Sequence, residues 1–128
     1  MAKYFDLISI GDSTLDVFLE INEATVLCEI DKRNCKLCIN YADKVPVEKV
    51  TKIAGVGNAA NVAVGGSRLG LKSSLYTNFG DDEVGKEMYQ RLTKEEKVAP
   101  DYMRFDKKRG SNYSAVLNFK GERTILVY

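Results

Sequence analysis

The chain has 128 residues, of which 45% are hydrophobic and 29% are charged. This length and composition predict one soluble globular domain with a core of its own, and they exclude a disordered or fibrous protein. The 19 basic and 18 acidic residues leave a formal net charge of +1. They are mixed along the sequence, which argues against nucleic acid as a partner.

The termini and the reactive side chains narrow the function further. No signal-peptide pattern opens the chain and no apolar run could span a bilayer, so we expect a cytoplasmic protein without membrane contact. Three cysteines without a secretory segment argue against a disulfide framework. The chain has no histidine, which excludes Ser-His-Asp and Cys-His catalytic pairs. Acid–base chemistry would fall to carboxylates, tyrosine, lysine or cysteine.

The first third of the chain predicts strands. Residues 4–10 form a short apolar run typical of a buried strand, and residues 16–21 alternate as a half-exposed strand does. Residues 24–30 and 35–41 also alternate and are joined by four polar residues. We expect these two segments to form a β-hairpin with one exposed face, which ends before Pro46.

After residue 55 the pattern changes to strands that alternate with helices. We expect a flexible turn at 55–57 and helices over 58–69 and 83–93, with Asp82 as the N-cap of the second helix. We expect strands over 73–78, 102–105, 112–120 and 124–128. Such alternation predicts a layered α/β core with a right-handed crossover. The last strand runs to the final residue, so we expect a chain cut from something longer, with a short natural C-terminal strand as the alternative.

The glycine turn at Gly57 is the most informative stretch for function. A glycine that opens a helix lets backbone N–H groups approach a ligand closely, because no Cβ intervenes. Asn61 falls near the same helix end and offers both a donor and an acceptor. The set suits a ligand with several hydroxyls, although the spacing alone fits plain packing of a helix on a sheet more often.

Several motifs taken together resemble the ribokinase-like (PfkB-type) carbohydrate kinases. They are I-G-D-S-T-L-D at 10–16, G-N-A-A-N-V-A at 57–63, R-L-G at 68–70, G-D-D-E-V-G at 80–85 and G-E-R-T at 121–124. That family usually shows G-G-N-A-A-N-V-A, then R-L-G, then G-D-D-x-x-G. The resemblance covers nearly the whole chain in the expected order, with an interruption at 24–45. One position departs from the pattern, since Val56 stands where the family has a second glycine.

The resemblance implies a ribokinase-like layered α/β core, here incomplete, with a small projecting β-sheet as a lid. Residues 1–128 would be the amino-terminal part of one such domain. The lid sheet would take up about 16–50, and the core would take up 4–12 and 51–128. In the family the lid covers the sugar pocket, and in many members it pairs with the lid of a second subunit. A homodimer through the lid sheet is therefore an expected partner arrangement.

The resemblance also assigns substrate-binding residues. Asp16 would bind sugar hydroxyls, because an ionised carboxylate accepts two alcohol hydrogen bonds. Gly57 and Asn58 would lie against the sugar ring, and Asn61 would hydrogen-bond it. Asp12 is a second-rank candidate.

The remaining polar clusters have simpler interpretations. Asp81 and Asp82 are expected to cap the next helix instead of binding a metal, and no metal ligand is assigned. The loop 107–109 is basic and could steer a phosphate, but a solvated loop is the better interpretation.

The three cysteines, Cys28, Cys35 and Cys38, fall on the predicted hairpin and include a C-x-x-C at 35–38. They offer too few ligands for zinc unless Asp31, Asp43 or a partner chain contributes. Apolar packing within the strands is therefore the expected role of these thiols.

Kinases of this family transfer the γ-phosphoryl group of ATP to a hydroxyl of a sugar or nucleoside, using an aspartate base in a G-A-G-D-like motif. This chain contains neither that motif nor a Walker-type loop. The resemblance therefore implies ATP and Mg²⁺ for a full-length member, while this chain carries the acceptor-sugar part and no catalytic residue. Two alternatives stay open. One is a non-catalytic module for sugar binding or dimerisation, and the other is an unrelated dinucleotide-binding domain, whose G-x-G-x-x-G pattern residues 55–60 match only loosely.

Overall fold

The computed structural model describes residues 4–128. The elements in chain order are β1 (Leu7–Ile10), β2 (Thr14–Ile21), β3 (Thr25–Cys28), β4 (Cys35–Cys38), β5 (Val47–Val56), α1 (Asn58–Arg68), β6 (Ser73–Gly80), α2 (Glu83–Gln90), β7 (Met103–Asp106), β8 (Tyr113–Phe119) and β9 (Glu122–Val127). Helix α2 continues directly into one π-helical turn, Arg91–Glu95. The helices and strands expected from the sequence pattern are confirmed to within a few residues at their ends.

A parallel sheet of three strands, in the order β1-β6-β7, forms one layer. Leu7 of β1 pairs with Ser73 of β6, and Thr77 of β6 pairs with Met103 of β7. Helix α1 packs against β1 and β6, and α2 packs against β5 and β6. This arrangement of helices on a parallel sheet confirms the predicted layered α/β class.

The core between these layers is made of large apolar side chains from the sheet and the helices. Leu75, Phe79, Met88 and Leu92 are fully buried, and burial of each such side chain contributes about 1.5–3 kcal/mol. Helix α1 presents small residues, Ala60, Ala63 and Gly66, toward this core. These small side chains let the helix lie close to the sheet. No helix within residues 4–128 has the length and hydrophobicity needed to cross a membrane.

A second, mixed sheet has the strand order β5-β2-β8-β9. Its central strand β2 is antiparallel to β5 and parallel to β8, and β9 is antiparallel to β8. The sequence interpretation placed residues 112–120 and 124–128 in the core segment, whereas their strands share this sheet with β2. The division of the chain into lid and core therefore stays a prediction.

Strand β5 was not predicted. The sequence indicated a polar stretch and a flexible turn, but residues 47–56 form a ten-residue strand. The first six residues of β5 are all exposed at the edge of the sheet, so the pattern lacks the alternation by which a half-buried strand is identified. Gly55 is part of this strand and has a φ of 66°.

The sequence predicted that the cysteines form no disulfide and pack among apolar side chains, and both predictions were wrong. Strands β3 and β4 place Cys28 directly opposite Cys35, and a disulfide joins them. Both residues are exposed, so they do not pack in an apolar interior. Cysteine count and cellular setting could not reveal this pairing, because it depends on the register of the hairpin. Cys38 keeps a free thiol.

Candidate functional site

The start of β2 and the start of α1 lie side by side. Thr14 pairs with Val56, the last residue of β5, and Gly57 follows as the N-cap of α1 with a φ of 114°. A Cβ at Gly57 would lie 3.1 Å from the carbonyl oxygen of Asp12. Position 57 therefore requires glycine both for its left-handed backbone and for this close approach.

The end of β1 is fastened to the same helix start. The Ser9 hydroxyl donates a hydrogen bond of 2.8 Å to the carbonyl of Ala59. A Cβ at Gly11 would lie 3.0 Å from the Cβ of Ala59. Small residues thus hold β1, β2 and the first turn of α1 in contact at one edge of the fold.

Asp16 is the most unusual side chain in this region. It lies on β2 two residues beyond Thr14, so it points to the same side of the strand. Its Oδ1 is buried, and no hydrogen-bond donor among residues 4–128 reaches this oxygen. Burial of a polar atom without a partner is costly, so such an atom in a native fold requires a functional or structural explanation.

The neighbours of Asp16 were missed by the sequence interpretation. Ser114 of β8 is the register partner of Asp16, and its hydroxyl lies 3.4 Å from the hydroxyl of Thr14. No sequence pattern could indicate this pair, because Thr14 and Ser114 meet only through the parallel pairing of β2 with β8. Hydroxyl groups beside the carboxylate add polar atoms to the same surface.

A β-bulge adjoins Asp16. Three residues of β2, from Thr14 to Asp16, face four residues of β5, from Val56 to Ile53. The extra residue lies on β5 where Gly55 has positive φ. Bulges of this kind bend a strand and redirect side chains, and they are frequent beside functional sites.

The two asparagines assigned from the resemblance are both on the first turns of α1. Asn58 is the first residue of the helix, and both Asn58 and Asn61 are exposed. No side chain caps this helix. The first N–H groups of α1 have no intrahelical acceptor, so they are available to a ligand. The structure thus brings Gly57, Asn58 and the chain around Asp12 together, with Asp16 on the adjoining strand.

A cavity of about 310 Å³ opens at the carboxyl ends of β1 and β6. Its polar lining is Asp12, Asn78, Asp106, Arg109 and Asn112. In open α/β sheets, ligands bind in the crevice outside the carboxyl ends of the strands. Asp16, Gly57, Asn58 and Asn61 do not line this strand-end cavity, but Asp12 does. Gly11 and Asp12 therefore connect the cavity with the start of α1.

A larger cavity of about 690 Å³ lies at the other end of the four-stranded sheet, with Glu20, Asn118, Lys120 and Arg123 in its lining. None of the residues assigned from the sequence contributes to it. We regard the smaller cavity as the better candidate because it lies at the carboxyl ends of parallel strands.

The G-D-D-x-x-G motif has a structural role. Asp82 caps α2 as predicted, since its Oδ1 accepts a hydrogen bond of 2.7 Å from the Gly85 N–H. The same carboxylate accepts hydrogen bonds from the Ser111 hydroxyl and N–H. Burial alone would raise the pKa of Asp82, but these hydrogen bonds and nearby Lys86 outweigh it, so the pKa is lowered.

Both glycines of this motif are required by close packing. A Cβ on Gly85 would lie 2.1 Å from the carbonyl oxygen of Gly80. A Cβ on Gly80 would lie 2.4 Å from the backbone nitrogen of Ser111. The motif therefore joins the end of β6, the start of α2 and the loop before β8 through backbone contacts.

The R-L-G motif fixes the other end of α1. The Arg68 guanidinium donates two hydrogen bonds to the Glu96 carboxylate, at 2.7 and 2.6 Å. Ser67 Oγ donates a third to the Glu96 carbonyl, at 2.6 Å. The Arg68 side chain lowers the pKa of Glu96, chiefly through its hydrogen bonds, and Arg91 adds to this effect.

Within the described range, 4–128, no three side chains of the His, Cys, Asp or Glu type come close enough together to hold a metal ion. Of the two aspartates in the motif, Asp82 caps α2, whereas the Asp81 N–H donates a hydrogen bond of 2.9 Å to the Asp106 carbonyl.

Comparison with known proteins agrees with this architecture. The family model for pfkB family carbohydrate kinases matches residues 22–128. This chain belongs to the pfkB family of carbohydrate kinases.

Solved structures share the fold. Arabidopsis thaliana ribokinase, solved with ribose and ATP, superposes with a TM-score of 0.74 at 20% identity, over 98% of this chain and 36% of that one. A nucleoside kinase of Methanocaldococcus jannaschii gives a TM-score of 0.72 at 18% identity, over 95% of this chain and 36% of that one.

One relative also shows local sequence identity. The sugar kinase PH1459 of Pyrococcus horikoshii, described as uncharacterized, is 54% identical over 39 residues, which are 30% of this chain and 13% of that protein. Its structure in complex with ATP gives a TM-score of 0.63 at 26% identity, over 95% of this chain and 33% of that one. The chain spans about a third of the length of these solved relatives.

Proposed function

We propose that this chain supplies the acceptor-binding part of an ATP-dependent kinase that phosphorylates a hydroxyl of a sugar or nucleoside. The observation that carries the proposal is the buried, unpartnered oxygen of Asp16 beside the uncapped start of α1. A polyhydroxylated ligand would donate hydrogen bonds to the Asp16 carboxylate and accept bonds from the helix N–H groups. The family assignment supports the same chemistry.

Each proposed binding residue has a distinct part. Asp16 accepts hydroxyl hydrogens and orients the acceptor, since a carboxylate offers several acceptor positions. Asn61 donates to or accepts from ring substituents. Gly57 and Asn58 leave room for the sugar ring against the backbone, because position 57 has no side chain.

We propose that the described residues do not bind the donor nucleotide. The matched ribokinase and sugar kinase were solved with ATP, and we propose ATP with Mg²⁺ for the complete enzyme. The described residues do not fit that group, because they hold no acidic cluster for a metal and the sequence has no Walker-type loop. We therefore derive no phosphoryl-transfer step from this chain and assign it no catalytic residue.

The setting follows from the same proposal. We place the protein in the cytoplasm, where phosphorylated sugars are made and used. The segment at about 16–50 would cover the bound sugar as a lid, and a second copy could pair with it to form a homodimer. Strand β5 presents an exposed edge that suits such pairing.

Calorimetric titration with a panel of pentoses, hexoses and nucleosides tests the proposal. Replacing Asp16 or Asn61 with alanine should weaken binding at least tenfold, by loss of charge-assisted or amide hydrogen bonds. Glu87→Ala and Gln90→Ala, on the exposed face of α2, serve as matched carboxylate and amide controls and should bind as the parent does. Equal affinity of all four variants would remove the pocket assignment.

The alternative is a module that binds sugar or dimerises without catalysis. It is favoured if the complete protein that contains this chain binds a sugar from the panel yet yields no phosphorylated product with ATP and Mg²⁺. Phosphate transfer to the bound sugar, followed by mass spectrometry of the product, would instead establish the kinase.

A further inference from the structure

The hairpin β3–β4 stands apart from both larger sheets. Its two strands form a sheet of their own, with no pairing to the other strands described between residues 4 and 128. All four residues of β3 are exposed. An isolated two-stranded hairpin is at best marginally stable in water. Another interaction must therefore hold this segment in shape.

The disulfide between Cys28 and Cys35 is placed to do this. The two residues are direct register partners at the closed end of the hairpin, with Cα atoms 4.0 Å apart. Cys38 pairs with Thr25 at the open end. Cys38 lies three residues from Cys35 along β4, so their Cα atoms are about 10 Å apart. The Cα atoms of a disulfide are separated by at most roughly 6.8 Å. Cys38 therefore cannot replace either partner while the hairpin is formed.

The turn between the two cysteines has hydrogen bonds of its own. The Lys32 N–H donates a hydrogen bond of 2.8 Å to the Glu29 carbonyl. The Asn34 amide donates one of 3.0 Å to the Glu29 carboxylate. Closing such a short loop costs little entropy. The reduced cysteines are thus held near each other and can be oxidised again after reduction.

The disulfide is also reachable from solvent. Both cysteines are exposed, and accessible disulfides are the ones that exchange readily with small thiols. Cys35, with Val26 and Leu37 of the hairpin, lines an apolar cavity of about 250 Å³ shared with Leu117 and Phe119 of β8. A change in the conformation of the hairpin would therefore alter its packing against β8 of the four-stranded sheet.

We propose that Cys28 and Cys35 form a reversible redox-sensitive cross-link that orders the β3–β4 hairpin. In the reductive step a dithiol reductant attacks the S–S bond and leaves as its own cyclic disulfide, while its two electrons and two protons give the thiols of Cys28 and Cys35. Oxidised glutathione reverses the step and is itself reduced to two glutathione molecules. Reduction loosens the hairpin, while the core built on α1 and β6 is unchanged.

Thiol counting of the full chain is the first test. The protein is equilibrated with oxidised glutathione, denatured in iodoacetamide and weighed by mass spectrometry. One alkylated cysteine, Cys38, is expected before reduction with dithiothreitol, and three are expected after it. Three alkylated cysteines in the oxidised sample would overturn the proposal.

Hydrogen exchange then tests the structural effect. Reduction should speed amide exchange in the peptide that covers residues 25–38 at least tenfold, with no change in the peptide that covers α1. The double variant Cys28→Ser with Cys35→Ser should behave as the reduced protein under all conditions. Cys38→Ser is the matched control and should still respond to the reductant. Equal exchange in oxidised and reduced protein would show that the bond does not order the hairpin.

Discussion

Ser111 and Asp82, 29 positions apart, are joined by two hydrogen bonds: the Ser111 hydroxyl donates to Oδ1 at 2.6 Å and its N–H donates to Oδ2 at 2.8 Å. The Ser111 hydroxyl in turn accepts a bond of 3.0 Å from the Gly80 N–H. The Asp82 carboxylate thus joins the start of α2 to a distant loop, and Ser111 links that loop to the end of β6. This loop leads into β8, whose Ser114 pairs with Asp16.

Asp82→Asn should destabilise the fold by about 2 kcal/mol. An amide has one acceptor oxygen, and its NH₂ group would face either the Ser111 N–H or the Gly85 N–H, so two donors would meet. Urea unfolding followed by circular dichroism measures the change. Asp81→Asn is the matched control, because this exposed neighbour should change stability by less than about 0.5 kcal/mol. Equal effects at both positions would contradict the shared-carboxylate arrangement.

The stability of the fold should depend on pH through the carboxyl groups of Asp82 and Glu96. The pKa of each carboxyl is lowered in the folded state. A lowered folded-state pKa adds stability that is present above the unfolded pKa, about 4, and is lost as the pH falls through the folded value. The urea midpoint of unfolding, measured between pH 7 and pH 2, should therefore decrease once the pH is lowered below about 4. Asp82→Asn and Glu96→Gln should each reduce this decrease of the midpoint at acid pH. The same pH dependence in both variants as in the parent would contradict the lowered pKa values of Asp82 and Glu96.

Gly85→Ala and Gly65→Ala should change stability in opposite directions. A methyl group at position 85 would overlap the Gly80 carbonyl oxygen, and such overpacking costs about 3 kcal/mol. Position 65 lies within α1 with nothing within 4 Å of the added carbon. Alanine there should stabilise the helix by about 0.5–1 kcal/mol. Thermal unfolding of the two variants beside the parent measures both effects, and a stable Gly85→Ala protein would refute the packing argument.

Arg68→Lys should not recover the stability that Arg68→Ala removes. The guanidinium makes two parallel hydrogen bonds with Glu96, and an ammonium group cannot reproduce that geometry. Both variants should lower the urea midpoint, and in each the change should shrink when Glu96→Gln is already present. Complete recovery by lysine would show that only the charge matters at this site.

Asp16→Asn should raise the free energy of unfolding of the ligand-free protein by about 1 kcal/mol, because a neutral amide costs less to bury than a carboxyl group whose Oδ1 has no hydrogen-bond donor. Urea unfolding at pH 7 without any sugar measures it. The variant should at the same time lose sugar affinity. A loss of stability would instead assign Asp16 a structural role.

The sequence was sufficient for features that depend on local chemistry. The Asp82 cap, helices α1 and α2 and most of the strands follow from periodicity, turn residues and capping. Arg68 and Gly80 stood out through the resemblance, yet their contacts with Glu96 and Ser111 require the tertiary structure. Strand β5 escaped notice because its first six residues are exposed and lack a buried face.

The candidate site was predictable only in part. Gly57 and its neighbours could be found because the glycine turn is contiguous in sequence. Ser114 and Arg109 could not be associated with it, since their proximity to the site arises from the pairing of β8 and from the loop before it. The Cys28–Cys35 bond depends on hairpin register, which residue counts do not reveal.

The hydroxyl groups of Thr14 and Ser114 are 100 positions apart in the chain, and the parallel pairing of β2 with β8 lies between them. Contacts between segments so remote in sequence form slowly, because a long stretch of polypeptide must first be brought round. During translation, the side of β2 that pairs with β8 therefore stays unpaired until most of the chain has left the ribosome. The acceptor pocket proposed around Asp16 would then be among the last parts of the molecule to be completed.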